Sequence, residues 1–314
     1  MSTTITESDL TTAPKRRHAD TGARWAFRAA AVSTLAITVL IILTLAVDAW
    51  DFLVKLGDDE HDGLTVLWDL GWFPRRGLFD IATLVLGTLI VTGIAMIVAA
   101  PLGLGVAVYL AEYAPARFRK IVKPVIEVLA GVPSVVLGYF AIAFINPEII
   151  TRVFSGANQA FTLAAAGIAV GILTIPIIAS VAEDALRAVP MSLREASYGL
   201  GAERLQSTFR VVLPAAISGI VAALILGISR AIGETMVVAI AAGAVGGGLR
   251  SYDPLQPGQT MTAAMAALGF GSDQVAGDNL AFQSLYFVGL LLFVITLLLN
   301  VASGWLVNRV REVY

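Results

Sequence analysis

The sequence predicts an all-α membrane protein with six transmembrane helices. Three observations carry that prediction. First, the chain of 314 residues is 57% hydrophobic and 14% charged, with a mean hydropathy of +0.82, whereas a soluble domain carries roughly 25% charged residues. Second, its apolar residues gather into six runs, at 27–47, 81–100, 122–145, 161–182, 216–242 and 284–307. Each is near the roughly 20 residues that a bilayer core requires. Third, Lys and Arg are one-sided. The N-terminal tail, the second-to-third and fourth-to-fifth connections and the C-terminal end hold 15 of the 21. The opposite side holds only Lys55, Arg75, Arg76, Arg152 and Arg250. Positive charge marks the cytoplasmic side, so the expectation is a multi-pass plasma-membrane protein with both termini inside.

The elements follow in order. Residues 1–26 are polar and rich in Thr and charge, and are expected to be a disordered cytoplasmic tail. Residues 27–80 comprise the first transmembrane helix and an outer loop. That helix is an uncleaved anchor, because it is too long for a secretory signal and no small-x-small site precedes Asp48. The loop carries eight acids between Asp48 and Asp80. Its cluster Asp58-Asp59-Glu60-His61-Asp62 reads as a solvated acidic loop, and no metal is expected there. The second run can continue to Leu110, and Pro101 and Pro133 punctuate the second and third runs. Membrane helices tolerate such prolines where neighbouring helices cover the freed backbone. In the outer stretch 243–283, Gly246-Gly247-Gly248 lacks a following Gly-Lys-Ser or Gly-Lys-Thr. The glycines therefore read as the end of the fifth helix, and residues 260–268 as a short helix at the outer interface.

Several function classes are excluded. Cysteine is absent, so there is neither a disulfide scaffold nor a thiolate metal site. The only histidines, His18 and His61, lie outside the apolar runs. No nucleophile elbow or His-Glu-x-x-His occurs. The basic residues are juxtamembrane clusters, explained by topology and anionic lipid rather than nucleic acid.

Two segments carry function. Glu195-Ala196-Ser197, Gly201 and Val211-Val212-Leu213-Pro214 resemble the EAA signature of ABC importer permeases in spacing throughout, with Ser197 and Val211 as mild departures. The resemblance implies the type I ABC importer permease fold. It also implies a short cytoplasmic coupling helix near 192–206, within a permease core over 81–314, that docks on a separate ATPase. Glu195 is expected in the first helical turn, where a carboxylate suits the helix dipole. Ala196 and Ser197 are small enough to enter a groove, Gly199 and Gly201 break the helix, and Leu213-Pro214 marks re-entry into the membrane.

The second segment is Arg230 with Glu234, close to the middle of the fifth run. A charge there costs at least roughly 2.5–3.5 kcal/mol on insertion scales. A spacing of four places the side chains on one helix face, but Arg before Glu is the weaker order for helix stabilisation. Either a structural ion pair or a polar lining of a transport path accounts for them. Ser229-Arg230-Ala231-Ile232-Gly233-Glu234-Thr235-Met236 and Gly131-Val132-Pro133-Ser134-Val135-Val136-Leu137-Gly138 resemble motifs of phosphate importer permeases of the PstC type. The resemblance covers about residues 80–310 and assigns Arg230 and Glu234 to phosphate passage. Ser134 is a further candidate on the path, and Glu127 stands between gate and lipid-interface charge.

The resemblance further implies a companion permease of the PstA type, two ATPase subunits that bind ATP and Mg, an external phosphate-binding protein and membrane lipid as partners. This chain itself would carry no cofactor and hydrolyse nothing. Permeation of another oxyanion such as sulfate or molybdate, or a self-sufficient secondary transporter, are the alternatives.

Overall fold

Inside a bilayer, backbone N–H and C=O groups must be satisfied within the protein, and helices do this segment by segment. The computed structural model describes residues 14–57, 63–68, 71–154, 159–243, 247–270 and 280–310. Helix α1 spans Pro14–Gly57 and runs straight through the tail expected to be disordered up to residue 26. Lys, Arg and Ala are good helix formers and extend the helix ahead of the apolar run in spite of Gly22. At its C-terminal end, Phe52 and Leu56 pack into a cluster with Trp72, Phe79, Leu84 and Met261. The acidic cluster 58–62 lies outside the described residues. A small hairpin follows, β1 (Trp72–Phe73) against β2 (Leu78–Phe79), turned at Gly77 with φ +75°.

Helix α2 (Ile81–Val108) is capped by Asp80, whose carboxylate accepts from Ala82 N and from Thr83 Oγ1. It continues as a π-helical turn, Tyr109–Tyr113. Helix α3 (Ala116–Leu129) is amphipathic and buries none of its residues. The chain then turns at Pro133 into α4 (Ser134–Phe140), prolonged by a π-helical stretch to Ile150 around Pro147. The third transmembrane span is therefore Ser134–Val153, not 122–145. Lys123 and Glu127 hold residues 122–129 in the amphipathic helix, which hydropathy alone merges with the span behind it.

Helix α5 (Leu163–Ala188) starts from Thr162, whose Oγ1 caps Ala165 N and donates to Asn146 Oδ1. After α6 (Met191–Gly199) the chain forms α7 (Arg204–Ser207) and runs on helically to Ala215. It bends by 71° before α8 (Ile217–Ile232). A break at Gly233–Thr235 precedes α9 (Met236–Ala241). Gly243, with φ +79°, follows, while Gly246 lies outside the described residues. The short helix expected over residues 260–268 exists as α10 (Met261–Phe270), with Thr260 Oγ1 accepting from Ala263 N. Helix α11 (Leu280–Val310) closes the chain. Among the described residues five helices are long and apolar enough to cross a membrane, and the bent pair supplies a sixth. The fifth run is thus not one continuous helix.

Helices α2 and α5 form the central seam. Between apolar helices in lipid, small residues gain dispersion energy by letting backbones approach. Gly171 faces the carbonyl of Ala95 and Cβ of Val98, and a Cβ added to it would sit 2.9 and 3.0 Å from them. Gly103 approaches Ile178 from the other side, and Gly227 brings α8 against Ile178 and Thr174. Gly171→Val should therefore overpack the seam, at a cost of about 1–3 kcal/mol. It should lower both the yield of monodisperse protein and the unfolding temperature in detergent. Gly93→Ala, where an added Cβ meets nothing within 4 Å, should leave both unchanged.

Candidate functional site

Arg230 and Glu234 meet across the break between α8 and α9. Helix α8 ends as Gly233 N donates to Ser229 O, and Glu234 N donates to Ala231 O. Arg230 Nη1 donates to Glu234 Oε2 at 2.5 Å. The Glu234 side chain is 4% exposed and that of Arg230 41%. Glu234 Oε1 also receives Val237 N from the start of α9 at 3.5 Å. From α10, Thr262 Oγ1 donates to the Glu234 carbonyl at 2.7 Å, so a backbone acceptor released by the break is satisfied by another helix.

The break resolves the unfavourable order of the pair. Arg230 lies in the last turn of α8, where uncompensated carbonyls favour a cation. Glu234 lies just before α9, where free N–H groups favour an anion. The pair is therefore set by two helix ends and not by one helix face. Among the described residues Arg230 makes no other hydrogen bond, leaving donors of its fork open on a half-exposed side chain. A cavity of about 380 Å³ adjoins the break, lined by Gly233, Thr235, Thr262, Met265, Gly269 and Leu285 among others.

Ser134 stands at the start of α4, half-buried. Helix α4 reaches α9 through Gly138, which lies against Val237 and Ile240, but no hydrogen bond brings Ser134 to the ion pair. Glu127 is exposed on α3.

The other candidate residues lie at the opposite end of the bundle. Glu195 and Ala196 are exposed on α6, while Ser197 is buried within the chain. Glu195 is not in the first turn, because α6 begins at Met191 after Pro190 and its first turn holds no acid. Proline starts a helix readily, so the helix opens a turn earlier than the motif. It also ends earlier than residue 206. Gly201, with φ +83°, donates its N–H to Tyr198 O, and Ala202 N donates to Ser197 O. The left-handed backbone that glycine permits there turns the chain. Leu213 and Pro214 fall in the last helical segment before the 71° bend.

Three ionic contacts at the bundle ends escaped the sequence, because each joins residues far apart in the chain. Arg194 Nη2 donates to Glu112 Oε1 at 2.9 Å and to Leu186 O at 2.8 Å, while Nη1 donates to Val189 O at 2.6 Å. Lys123 Nζ donates to Glu183 Oε2 at 2.5 Å and to Asp184 Oδ1 at 2.6 Å, fastening α3 to α5. Burial lowers the Lys123 pKa, but hydrogen bonds to Asp184 and Glu183 outweigh it and the net shift is upward. At the end bearing the hairpin, Arg250 grips Asp80 through Nε and Nη2, at 3.0 and 2.6 Å. Arg194 and Arg250 had been visible only as topology charges. Among the described residues no three His, Asp or Glu side chains converge to hold a metal.

Comparison with known proteins gives a consistent picture. The family described as binding-protein-dependent transport system inner membrane component matches residues 99–312. The chain is 34% identical over 269 residues to the phosphate transport system permease protein PstC 1 of Mycobacterium tuberculosis, covering 80% of this chain and 78% of that one. It is 30% identical to PstC of Pasteurella multocida, covering 90% and 89%. It is 32% identical to the probable ABC transporter permease protein YqgH of Bacillus subtilis, covering 76% of each. In three dimensions it resembles a chain of a bacterial alginate ABC transporter solved with a pentasaccharide-bound periplasmic protein. The TM-score is 0.64 at 15% identity, covering 93% and 97%. A chain of the MetNI methionine ABC transporter in an inward-facing conformation gives a TM-score of 0.53 at 22% identity, covering 74% and 98%. These likenesses establish the type I ABC importer permease fold.

The hydrogen bond from Thr262 satisfies a buried carbonyl that the break releases. Thr262→Val keeps the shape and removes the donor, leaving a buried carbonyl unsatisfied at a cost of about 1–3 kcal/mol. The unfolding temperature in detergent should fall, whereas Thr38→Val, whose hydroxyl only bonds its own helix on an exposed face, should leave it unchanged.

Proposed function

Because the chain belongs to the family of binding-protein-dependent transport system inner membrane components, we propose that it forms half of the translocation path of a phosphate importer of the PstC type. A permease subunit of an ABC importer is a transport subunit and not an enzyme, and its apolar helices make it a multi-pass membrane protein. ATP hydrolysis resides in a partner ATPase, and cargo arrives on a binding protein. The finer arrangement is a companion permease of the PstA type, two ATPase copies holding ATP and Mg, and an external phosphate-binding protein. The cytoplasm receives both termini and α6.

The observation that carries the phosphate reading is the Arg230–Glu234 pair at the helix break, in a chain whose relatives are named phosphate permeases. A guanidinium is a planar fork that matches two phosphate oxygens. Arg230 commits one nitrogen to Glu234 and keeps a half-exposed side chain. Phosphate retains a proton near neutral pH, and Glu234 can accept a hydrogen bond from it. Sulfate has no such proton and meets only carboxylate repulsion. Ser134, which opens α4 after Pro133, contributes a hydroxyl to the same path. Glu195, Ala196 and Gly201, together with Leu213 and Pro214 at re-entry, form the ATPase-coupling segment. The exposed positions of Glu195 and Ala196 and the left-handed turn at Gly201 support that assignment.

Arg230→Gln tests the cargo role. A Gln amide still donates to Glu234, so the complex should assemble while phosphate uptake is lost. Glu234→Gln should also impair uptake and relax the rejection of sulfate. A purely structural pair behaves differently. If the fold depends on the balance of charge, an amide hydrogen bond does not replace it, the uncompensated charge costs about 3–5 kcal/mol, either single change depletes the complex, and the double change restores both yield and uptake. Restoration of uptake in the double variant is the result that sinks the cargo role.

Orientation is tested by single cysteines in this cysteine-free chain. An impermeant thiol reagent applied to intact cells should label Leu249→Cys, which is exposed beside the outer hairpin, and should not label Arg204→Cys. Labelling of position 204 from outside would reverse the topology.

A further inference from the structure

We propose that Arg194 is a positioning residue for coupling. In this role it carries displacement of α6 into the bundle, through a rigid ionic link to Glu112 at the end of α2 and to the last carbonyls of α5. This rests on α6 being the helix that docks on the ATPase. Helix α6 has two faces. Glu195, Ala196 and Tyr198 are exposed, while Arg194 and Ser197 point into the protein. The docking face and the anchoring face are therefore one residue apart.

The anchor is stiff for physical reasons. The side chains of Arg194 and Glu112 are only 10% and 5% exposed, so water cannot replace either partner cheaply. The guanidinium is planar, and Arg194 meets Glu112 Oε1, Leu186 O and Val189 O at 2.9, 2.8 and 2.6 Å. Acceptors on two helices fix its orientation as well as its position. Glu112 itself sits in the π-helical turn Tyr109–Tyr113, a local distortion that often marks functional positions in helices.

Beyond the anchor, contact is continuous to the cargo residues. Helix α5 touches α8 at Ala185 against Gly219, and at Thr174 and Ile178 against Gly227. Helix α8 ends in the turn that bears Arg230. A shift of α6 therefore moves α2 and α5 together through Arg194, and α5 moves the helix that carries the ion pair. Coupling through packed elements and ionic links of this kind is the physical route between distant sites.

The test uses the complete complex in proteoliposomes: this chain, the companion permease, the ATPase subunits and the binding protein. Glu112→Gln keeps an acceptor oxygen for Arg194 but removes the charge. Arg194→Lys keeps the charge but cannot reach all the acceptors with one nitrogen. Both variants should assemble and hydrolyse ATP, while phosphate moved per ATP falls about tenfold, within the usual range of a coupling effect. An unchanged ratio in both assembled variants overturns the proposal. So does loss of assembly in both, which leaves Arg194 a fold anchor only. The underlying docking reading is checked separately by cross-linking an Ala196→Cys chain to cysteines on the ATPase. No cross-link at any ATPase position removes that reading and the proposal with it. A cross-link with an unchanged transport ratio sinks the Arg194 link alone.

Discussion

The cost of burying charge in an apolar medium governs where the buried ion pairs of this bundle sit. Away from water, an unpaired charge is too costly to keep, and a paired one is tolerated only with further hydrogen bonds. Helix ends offer those bonds because their backbone groups are unpaired. Asp80 sits at the start of α2, bonded to Ala82 N and Thr83 as well as Arg250. Arg194 takes the terminal carbonyls of α5. Arg230 and Glu234 occupy the two ends created by a helix break. The intervening seam of Gly103, Gly167 and Gly171 against α2 and α5 carries no charge.

Two buried acids, Glu112 and Glu183, run against the helix dipole, and both are answered by cations. Glu112 lies at the C-terminal end of the α2 span and Glu183 in the last turns of α5, where partial negative charge accumulates. Arg194 neutralises the first at 2.9 Å, and Lys123 and Arg187 neutralise the second at 2.5 and 3.6 Å. In each case one cation comes from a segment outside the membrane spans. Lys123 belongs to α3 and Arg194 to α6. The dipole mismatch thus becomes the attachment point by which peripheral helices are held to the core.

Composition and periodicity made much of this legible. Six apolar runs follow from the same transfer free energies that place the helices, so their number and most of their centres agree. The EAA-like spacing located α6 and the turn at Gly201, whose φ of +83° explains the glycine. The misses share one cause. Hydropathy averages over a window and cannot see a bend or break inside an apolar stretch. It merged α3 with α4 across Pro133, and α8 with α9 across Gly233. The clamps Arg194–Glu112 and Arg250–Asp80 join residues 82 and 170 positions apart, and no local pattern encodes such a meeting. Arg230 and Glu234 stand out in the sequence because both fall within one apolar run, but the reason for their order lies in the break.

That break also bears on how a site can pass an anion without keeping it. Conduction needs binding strong enough to admit the ion and weak enough to release it. A lone arginine in a low-dielectric path would hold phosphate through a bidentate, charge-assisted contact. Glu234 at 2.5 Å tempers it. On the proposed function it occupies one nitrogen and cancels the formal charge, so phosphate would gain hydrogen bonds but little net Coulomb attraction. The carboxylate cannot swing away freely, because it is buried and its own carbonyl is held by Thr262 from α10. Arg230, with 41% of its side chain exposed, is the partner that can move. On the proposed function, a mobile cation beside a fixed anion gives a site whose affinity depends on the distance between them. Helix movements that open or close the break would set that distance, and thereby decide when the path holds phosphate and when it lets it go.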